Sequence, residues 1–185
     1  MKKAIIFMFD KMEETEFVTT VDLLRRAGVQ VSCISLTDSP EVVGSNKIHL
    51  KADVLFDEMA DDLKDMDFDA LIMTGGPGTD FYLSHNGFLS LLGKAVKAEK
   101  LIAAICAAPT VLGRLNYLNG KRATCYGGME NLLIGADSGE DNVVVDGNFI
   151  TSRGVGTAVE FGLAVIEKMF DGESRDKIAA GIMLK

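Results

Sequence analysis

Two rhythms alternate along the chain. Lys3 to Phe9 (KAIIFMF) is a continuous apolar run bounded by charge, the pattern of a strand covered on both faces. Glu13 to Ala27 then repeats apolar residues at Phe17, Val21 and Leu24, with Gly28 where a helix would end. Val29 to Leu36 (VQVSCISL) reads as a second strand, so the first three elements predict a right-handed parallel crossover. Glu41 to Asp53 holds two short β-like pieces around Gly44-Ser45-Asn46, a small hairpin or excursion from the sheet. Asp57 to Asp67 is acidic and weakly amphipathic, and Phe68 to Thr74 (FDALIMT) is a buried strand that ends in Gly75-Gly76-Pro77-Gly78. Gly87 to Glu99 reads as a helix and Leu101 to Ile105 as the fourth parallel strand. Lys121 to Cys125 is short and β-like, Val143 to Thr151 a hairpin turning at Asp146-Gly147, and Ala158 to Phe170 and Ser174 to Leu184 are helices. Strands alternating with helices in this way predict a three-layer α/β sandwich on a mostly parallel central sheet.

In such a sheet, ligands bind beyond the carboxyl ends of the strands, near the point where the strand order reverses. Those ends are Asp10 to Glu16, Gly75 to Gly78 and Cys106 to Pro109, an acid-rich turn, a glycine turn and a thiol. Cys106 stands between a strand and a helical pattern containing Pro109, where a helix start favours thiolate and lowers the thiol pKa. The competing reading is one more small, buried core residue. The glycine turn either brings backbone N–H groups to a developing oxyanion or is a plain strand-to-helix turn that needs positive φ. It lacks both the G-x-G-x-x-G spacing and a Walker lysine.

Composition narrows the classes. At 185 residues the chain fits a single domain over 1–185, and 48% hydrophobic with 25% charged residues is ordinary for a globular protein. The formal charge of −8, with acids and bases interleaved, disfavours nucleic acid and anionic membranes as partners. No apolar run reaches membrane-span length and MKKAIIFMFD runs into an acid instead of a signal-type cleavage site, so a cytoplasmic location is expected. Cys33, Cys106 and Cys125 form no close pair, and with only His49 and His85 besides them no metal site is expected.

Three further groups bear on chemistry. Glu13 and Glu14 read as solvated charges in a first helical turn, whereas Glu16 lies at the edge of the apolar stripe with its carboxyl turned inward. A buried carboxyl beside a thiol has a raised pKa and can donate to sulfur or shuttle a proton. His49 and His85 both precede Cys106 and read as surface residues, so a Cys-His-Asp triad is not expected. Arg153, in Thr151-Ser152-Arg153-Gly154-Val155-Gly156-Thr157, is either an anion contact or an exposed residue near a helix cap, and Cys33 and Cys125 read as core thiols.

Taken together, Glu16, Gly75-Gly76, Ala103-Ala104-Ile105-Cys106-Ala107-Ala108-Pro109-Thr110 and Thr151 to Thr157 resemble the ThiJ/PfpI superfamily. The likeness is greatest to its Parkinsonism-associated deglycase branch and extends to Val21 to Gly28 and Glu160 to Ala164. The resemblance implies a flavodoxin-like sandwich of the class I glutamine amidotransferase-like kind, a homodimer, and a reactive Cys106 on a strained elbow. It also implies a protonated Glu16 on the thiolate, backbone amides of Gly76 and Ala107 at an oxyanion site, and pocket roles for Gly75, Ser152 and Arg153. Arg26 is implied to reach a partner's pocket. Two positions depart from the branch: Tyr126 replaces a pocket histidine, and Asn46 an arginine of the hairpin. Ala107 stands where the protease-like branch carries histidine, which disfavours peptidase activity.

Two functions share this thiol. One is cofactor-free glyoxalase or deglycase chemistry, in which Cys106 attacks methylglyoxal, a similar dicarbonyl or its adduct on protein, and Glu16 moves a proton. The other is a stress-response or chaperone-like redox sensor whose Cys106 oxidises without turnover. A role in thiazole phosphate metabolism has no phosphate loop to support it.

Overall fold

A computed structural model of the chain describes residues 1–59, 63 and 65–184. The first apolar run forms β1 (Lys3–Met8), followed by α1 (Glu14–Arg26) and β2 (Gln30–Ser35). A hairpin of β3 (Glu41–Val43) and β4 (His49–Lys51) precedes a two-residue strand, β5 (Val54–Leu55). The acidic stretch Asp57 to Asp67 lies partly outside the described residues. Then come β6 (Ala70–Met73), α2 (Phe81–Ser84), α3 (Asn86–Lys97), β7 (Leu101–Ile105) and α4 (Ala108–Arg114). Short β8 (Arg122–Ala123) and β9 (Asp137–Ser138) lead to β10 (Val143–Asp146), β11 (Phe149–Ser152), α5 (Ala158–Met169) and α6 (Gly172–Gly181).

Seven strands form one sheet in the order β10-β11-β7-β6-β1-β2-β5, and every pairing is parallel except β10 with β11. The apolar runs occupy its middle, where β1, β6 and β7 are buried along almost their whole length. Helices flank the sheet: Phe88 of α3 meets Phe7 of β1 edge-on at 5.0 Å, and α1 packs beside α5, with Leu23 seated against Gly162. A Cβ on Gly162 would lie 2.7 Å from Leu23 Cδ1, so glycine sets how closely these two helices approach.

The chain builds outward from β1 through β2 to β5, then returns to the other side of β1 with β6, β7 and β11. The strand order therefore reverses between β1 and β6, and the crevice beyond their carboxyl ends lies between Asp10 to Glu16 and Gly75 to Gly78. The hairpin β3–β4 is separate from the large sheet and is hung on this crevice. Lys11 N–H donates to Val43 O at 2.8 Å, Ser45 N–H to Met12 O at 2.8 Å, and Val43 N–H to the Asp10 carboxylate at 3.0 Å.

Three expectations from the sequence are revised or refined here. Glu14 is buried, not solvated: its carboxylate accepts Asn46 N–H at 2.8 Å and the Ser45 hydroxyl at 3.0 Å, which pins the hairpin turn to α1. The piece at Lys121 to Cys125 contributes only β8, which pairs with β9 outside the main sheet. The last helix begins earlier than Ser174, because the Asp171 side chain accepts Ser174 N–H at 2.8 Å and caps it.

Candidate active site

Cys106 directly follows β7 with φ at +64°, a left-handed conformation that costs a residue with a Cβ about 1–2 kcal/mol. Its neighbours hold it there. Cys106 N–H donates to Ser152 O at 2.9 Å, and Cys106 O accepts Tyr126 N–H at 2.8 Å. The chain then enters α4, with Pro near its first position and the Thr110 hydroxyl donating to Ala107 O at 2.7 Å. The result is a thiol carried on a strained elbow, 8% exposed.

The glycine turn answers both of its possible readings. Gly76 has φ at +106° and needs glycine for its backbone. Gly75 is required by proximity instead: a Cβ there would sit 2.6 Å from Cys106 Cβ and 2.9 Å from Sγ. The closeness brings the N–H groups of Gly76 and Ala107 to the sulfur, where they favour thiolate.

Glu16 is completely buried and faces Cys106. One carboxyl oxygen, Oε2, accepts Gly75 N–H at 3.0 Å, while Oε1 is buried with no hydrogen-bond partner. Burial raises its pKa from 4.5 to about 7, against the Gly75 and Cys106 hydrogen bonds. Burial and the negative charge of Glu16 also push the thiol up to about 12, outweighing the Gly76 and Ala107 amides. The start of α4 therefore does not lower the thiol pKa by itself, contrary to the expectation from sequence. The two groups are linked: a proton on Glu16 removes the charge that opposes thiolate, so thiolate and neutral carboxyl form together.

Around the thiol opens a cavity of about 650 Å³. Of the residues expected from sequence, Cys106, Glu16, Gly76, Ala107 and Tyr126 line it, as does Asn46. Gly75 and Ser152 are buried beneath the elbow, where the Ser152 hydroxyl bonds Asn142 O and Thr157 Oγ1, both at 2.7 Å. Arg153 is half-buried, with its guanidinium against Gly127 and outside the cavity lining. Arg26 is exposed and paired with Asp22 at 2.7 Å, away from the cavity of its own chain.

Neither histidine lines the cavity. His49 is exposed on β4, and His85 is more than a surface group: its Nδ1 accepts Phe88 N–H at 3.0 Å and caps α3. Cys33 and Cys125 are buried, their thiols pushed up by burial to about 12 and about 11. Among the described residues, no group of three or more His, Cys, Asp or Glu side chains is placed to hold a metal ion. No described helix is long and apolar enough to cross a membrane.

Sequence reasoning passed over several lining residues. Thr110 and Arg114 follow Ala107 at helical spacing of three and seven, a signal that was available once Cys106 was placed at a helix start. Ser45, Met129 and Leu132 carried no such signal, because only the folded hairpin and the turn after Tyr126 bring them to the thiol.

Comparison with known proteins agrees with this geometry. The DJ-1/PfpI family model matches residues 2–168. The chain is 35% identical to protein dj-1beta of Drosophila melanogaster over 189 residues, covering 99% of this chain and 97% of the fly protein. It is 33% identical to the glutathione-independent glyoxalase DJR-1.2 of Caenorhabditis elegans over 186 residues, covering 99% and 97%. The structure of oxidized DJ-1 from Toxoplasma gondii superposes with a TM-score of 0.93 at 31% identity, covering 99% of this chain and 98% of that one. A flavodoxin-like sandwich with a cysteine elbow on the strand next to its switch point, matched by a family model over residues 2–168, makes this chain a member of the DJ-1/PfpI family.

Proposed function

We propose that the chain converts reactive 2-oxoaldehydes such as methylglyoxal, free or carried on protein, into hydroxy acids by glyoxalase-type chemistry on Cys106. The observation that carries this reading is the fully buried Glu16 carboxyl, held at one oxygen by Gly75 N–H, unpartnered at the other and set against the Cys106 thiol. A pKa near 7 lets one group serve as acid and base in turn at neutral pH. The glyoxalase name of the nematode relative supports the same chemistry. A cavity of about 650 Å³ around the thiol is far more room than an oxidation sensor needs.

Cys106 sulfur adds to the aldehyde carbon, and the resulting alkoxide takes the proton of Glu16, giving a hemithioacetal. The Gly76 and Ala107 N–H groups face the oxyanion as it forms. Glu16, now a carboxylate, removes the proton on the former aldehyde carbon, and an enediolate results with its charge on the former ketone oxygen. The carboxyl returns that proton to the adjacent carbon while the hydroxyl proton passes between the two neighbouring oxygens. The product is a thioester on Cys106, which water hydrolyses to lactate, restoring the thiol. Overall one water is added and no cofactor is consumed. Lactate release from methylglyoxal by the wild type, Cys106→Ser and Glu16→Gln tests this. Losses of about 10²-fold or more are expected in both variants; equal rates in all three proteins would exclude the reading.

A further inference from the structure

The cavity is much larger than methylglyoxal requires, and its lining is uneven. A volume of about 650 Å³ falls in the range of drug-sized ligands, whereas methylglyoxal has only five non-hydrogen atoms. With the thiol, Tyr126, Met129 and Leu132 line the cavity, as does Val155 on the turn before α5. This wall is fixed to the elbow itself. Tyr126 N–H donates to Cys106 O at 2.8 Å, Met129 N–H to Tyr126 O at 3.1 Å, and Leu132 N–H to Met129 O at 2.9 Å. Its far end is seated on α4, where the Leu132 carbonyl would lie 2.4 Å from any Cβ added to Gly113. The turn is made possible by Gly128, at φ +88°.

The charges that this chain lends to the cavity disfavour one class of substituent. Among the described lining residues the acids are Glu13, Glu16 and Asp80, and the single cation is Arg114. Arg114 already pairs with Asp80 at 2.7 Å. From the residues of this chain, a carboxylate or phosphate on the substrate would therefore meet more negative than positive charge, with the one lining cation already paired. An uncharged apolar group would instead leave water for Tyr126, Met129 and Leu132.

We propose that Tyr126, Met129 and Leu132 form a hydrophobic subsite beside Cys106, and that the substrate is a 2-oxoaldehyde bearing an uncharged alkyl or aryl substituent. This rests on the reading of Cys106 as the attacking thiol. Met129 and Leu132 are specificity-determining residues in this account, since they touch the substituent and not the reacting carbons.

The test uses a homologous series from glyoxal through methylglyoxal to pentylglyoxal and phenylglyoxal, with a carboxylated 2-oxoaldehyde for comparison. kcat/KM is expected to rise roughly two- to fourfold per added methylene, the effect of partly or fully burying each CH2. The carboxylated compound should fall below its uncharged isostere. In the double variant Met129→Ser, Leu132→Ala the ratio of pentylglyoxal to glyoxal kcat/KM should drop at least severalfold. A flat or falling series in the wild type, or an unchanged ratio in the variant, overturns the subsite. A second measurement does not depend on turnover: the rate at which N-alkylmaleimides of increasing chain length modify Cys106, followed at that residue by mass spectrometry. Rates that climb with chain length in the wild type and not in the variant support the subsite even if no oxoaldehyde is turned over, an outcome that would count against the glyoxalase reading alone. Rates independent of chain length overturn the subsite.

Discussion

Replacing Glu16 by glutamine isolates the charge of the buried carboxyl. Glutamine keeps the shape and an oxygen to accept Gly75 N–H, and it cannot ionise. In the native protein burial raises Glu16 from 4.5 to about 7, while in the unfolded chain the group returns to its ordinary value. Below pH 4.5 both states hold the proton, and the native state keeps its full stability relative to the variant. Between 4.5 and about 7 only the unfolded chain ionises, so stability falls as pH rises, and above about 7 the loss is complete. At about 1.4 kcal/mol for each tenfold difference in proton affinity, the loss comes to about 3 kcal/mol. Urea unfolding of wild type and Glu16→Gln at pH 4.5, 6 and 8, followed by far-UV circular dichroism, reads this directly. Other titrating groups are common to both proteins and cancel in the difference. The variant should gain about 3 kcal/mol on the wild type between pH 4.5 and pH 8. Parallel pH profiles would refute the reasoning, because they would mean that Glu16 ionises in the native state as easily as in water.

Two further substitutions probe the supports of the site. Gly75→Ala places a Cβ 2.6 Å from Cys106 Cβ and 2.7 Å from Ala107 N, so the elbow must shift. A stability loss of about 1–3 kcal/mol and roughly tenfold slower Cys106 alkylation by iodoacetamide are expected, and a variant matching wild type in both would contradict the packing argument. Glu14→Ala removes the acceptor of Asn46 N–H, at an expected cost of about 1–3 kcal/mol and with faster hydrogen exchange at the Asn46 amide. Although burial opposes it, the net effect of hydrogen bonds to Glu14 is a lowered pKa, so its contribution is present above the ordinary carboxylate range and fades on acidification. Exchange at Asn46 no faster than in wild type would show that the hairpin turn is held by its other bonds.

The large elements were legible because their signals are local. A run such as Ile5 to Met8 must be covered on both faces wherever it lies, and the stripe of Phe17, Val21 and Leu24 gives one helical face whatever it packs against. Two-residue strands such as β5 and β9 have no period to read and exist only because a neighbouring edge supplies hydrogen bonds. The same distinction separates Glu14 from Glu16. Both stand in the first turn of α1, where acids are favoured, and the stripe placed Glu16 inward. Only the docked hairpin, which brings Ser45 and Asn46 over the helix start, buries Glu14 as well.

The order of residues in the chain was enough to place a thiol at a strand end, a glycine turn at its neighbour and one inward carboxyl between them. It could not give the protonation of that pair, because pKa depends on how completely the fold removes water and on which amides face the sulfur. The local argument, that a helix start lowers the Cys106 pKa, was reversed by burial and by Glu16. Nor could sequence show the shape of the cavity, whose wall at Met129 and Leu132 is joined to the thiol through backbone hydrogen bonds across a turn. Periodicity reports which face a residue presents within its own element, whereas a site is made where separate elements meet, and only the tertiary structure decides that meeting.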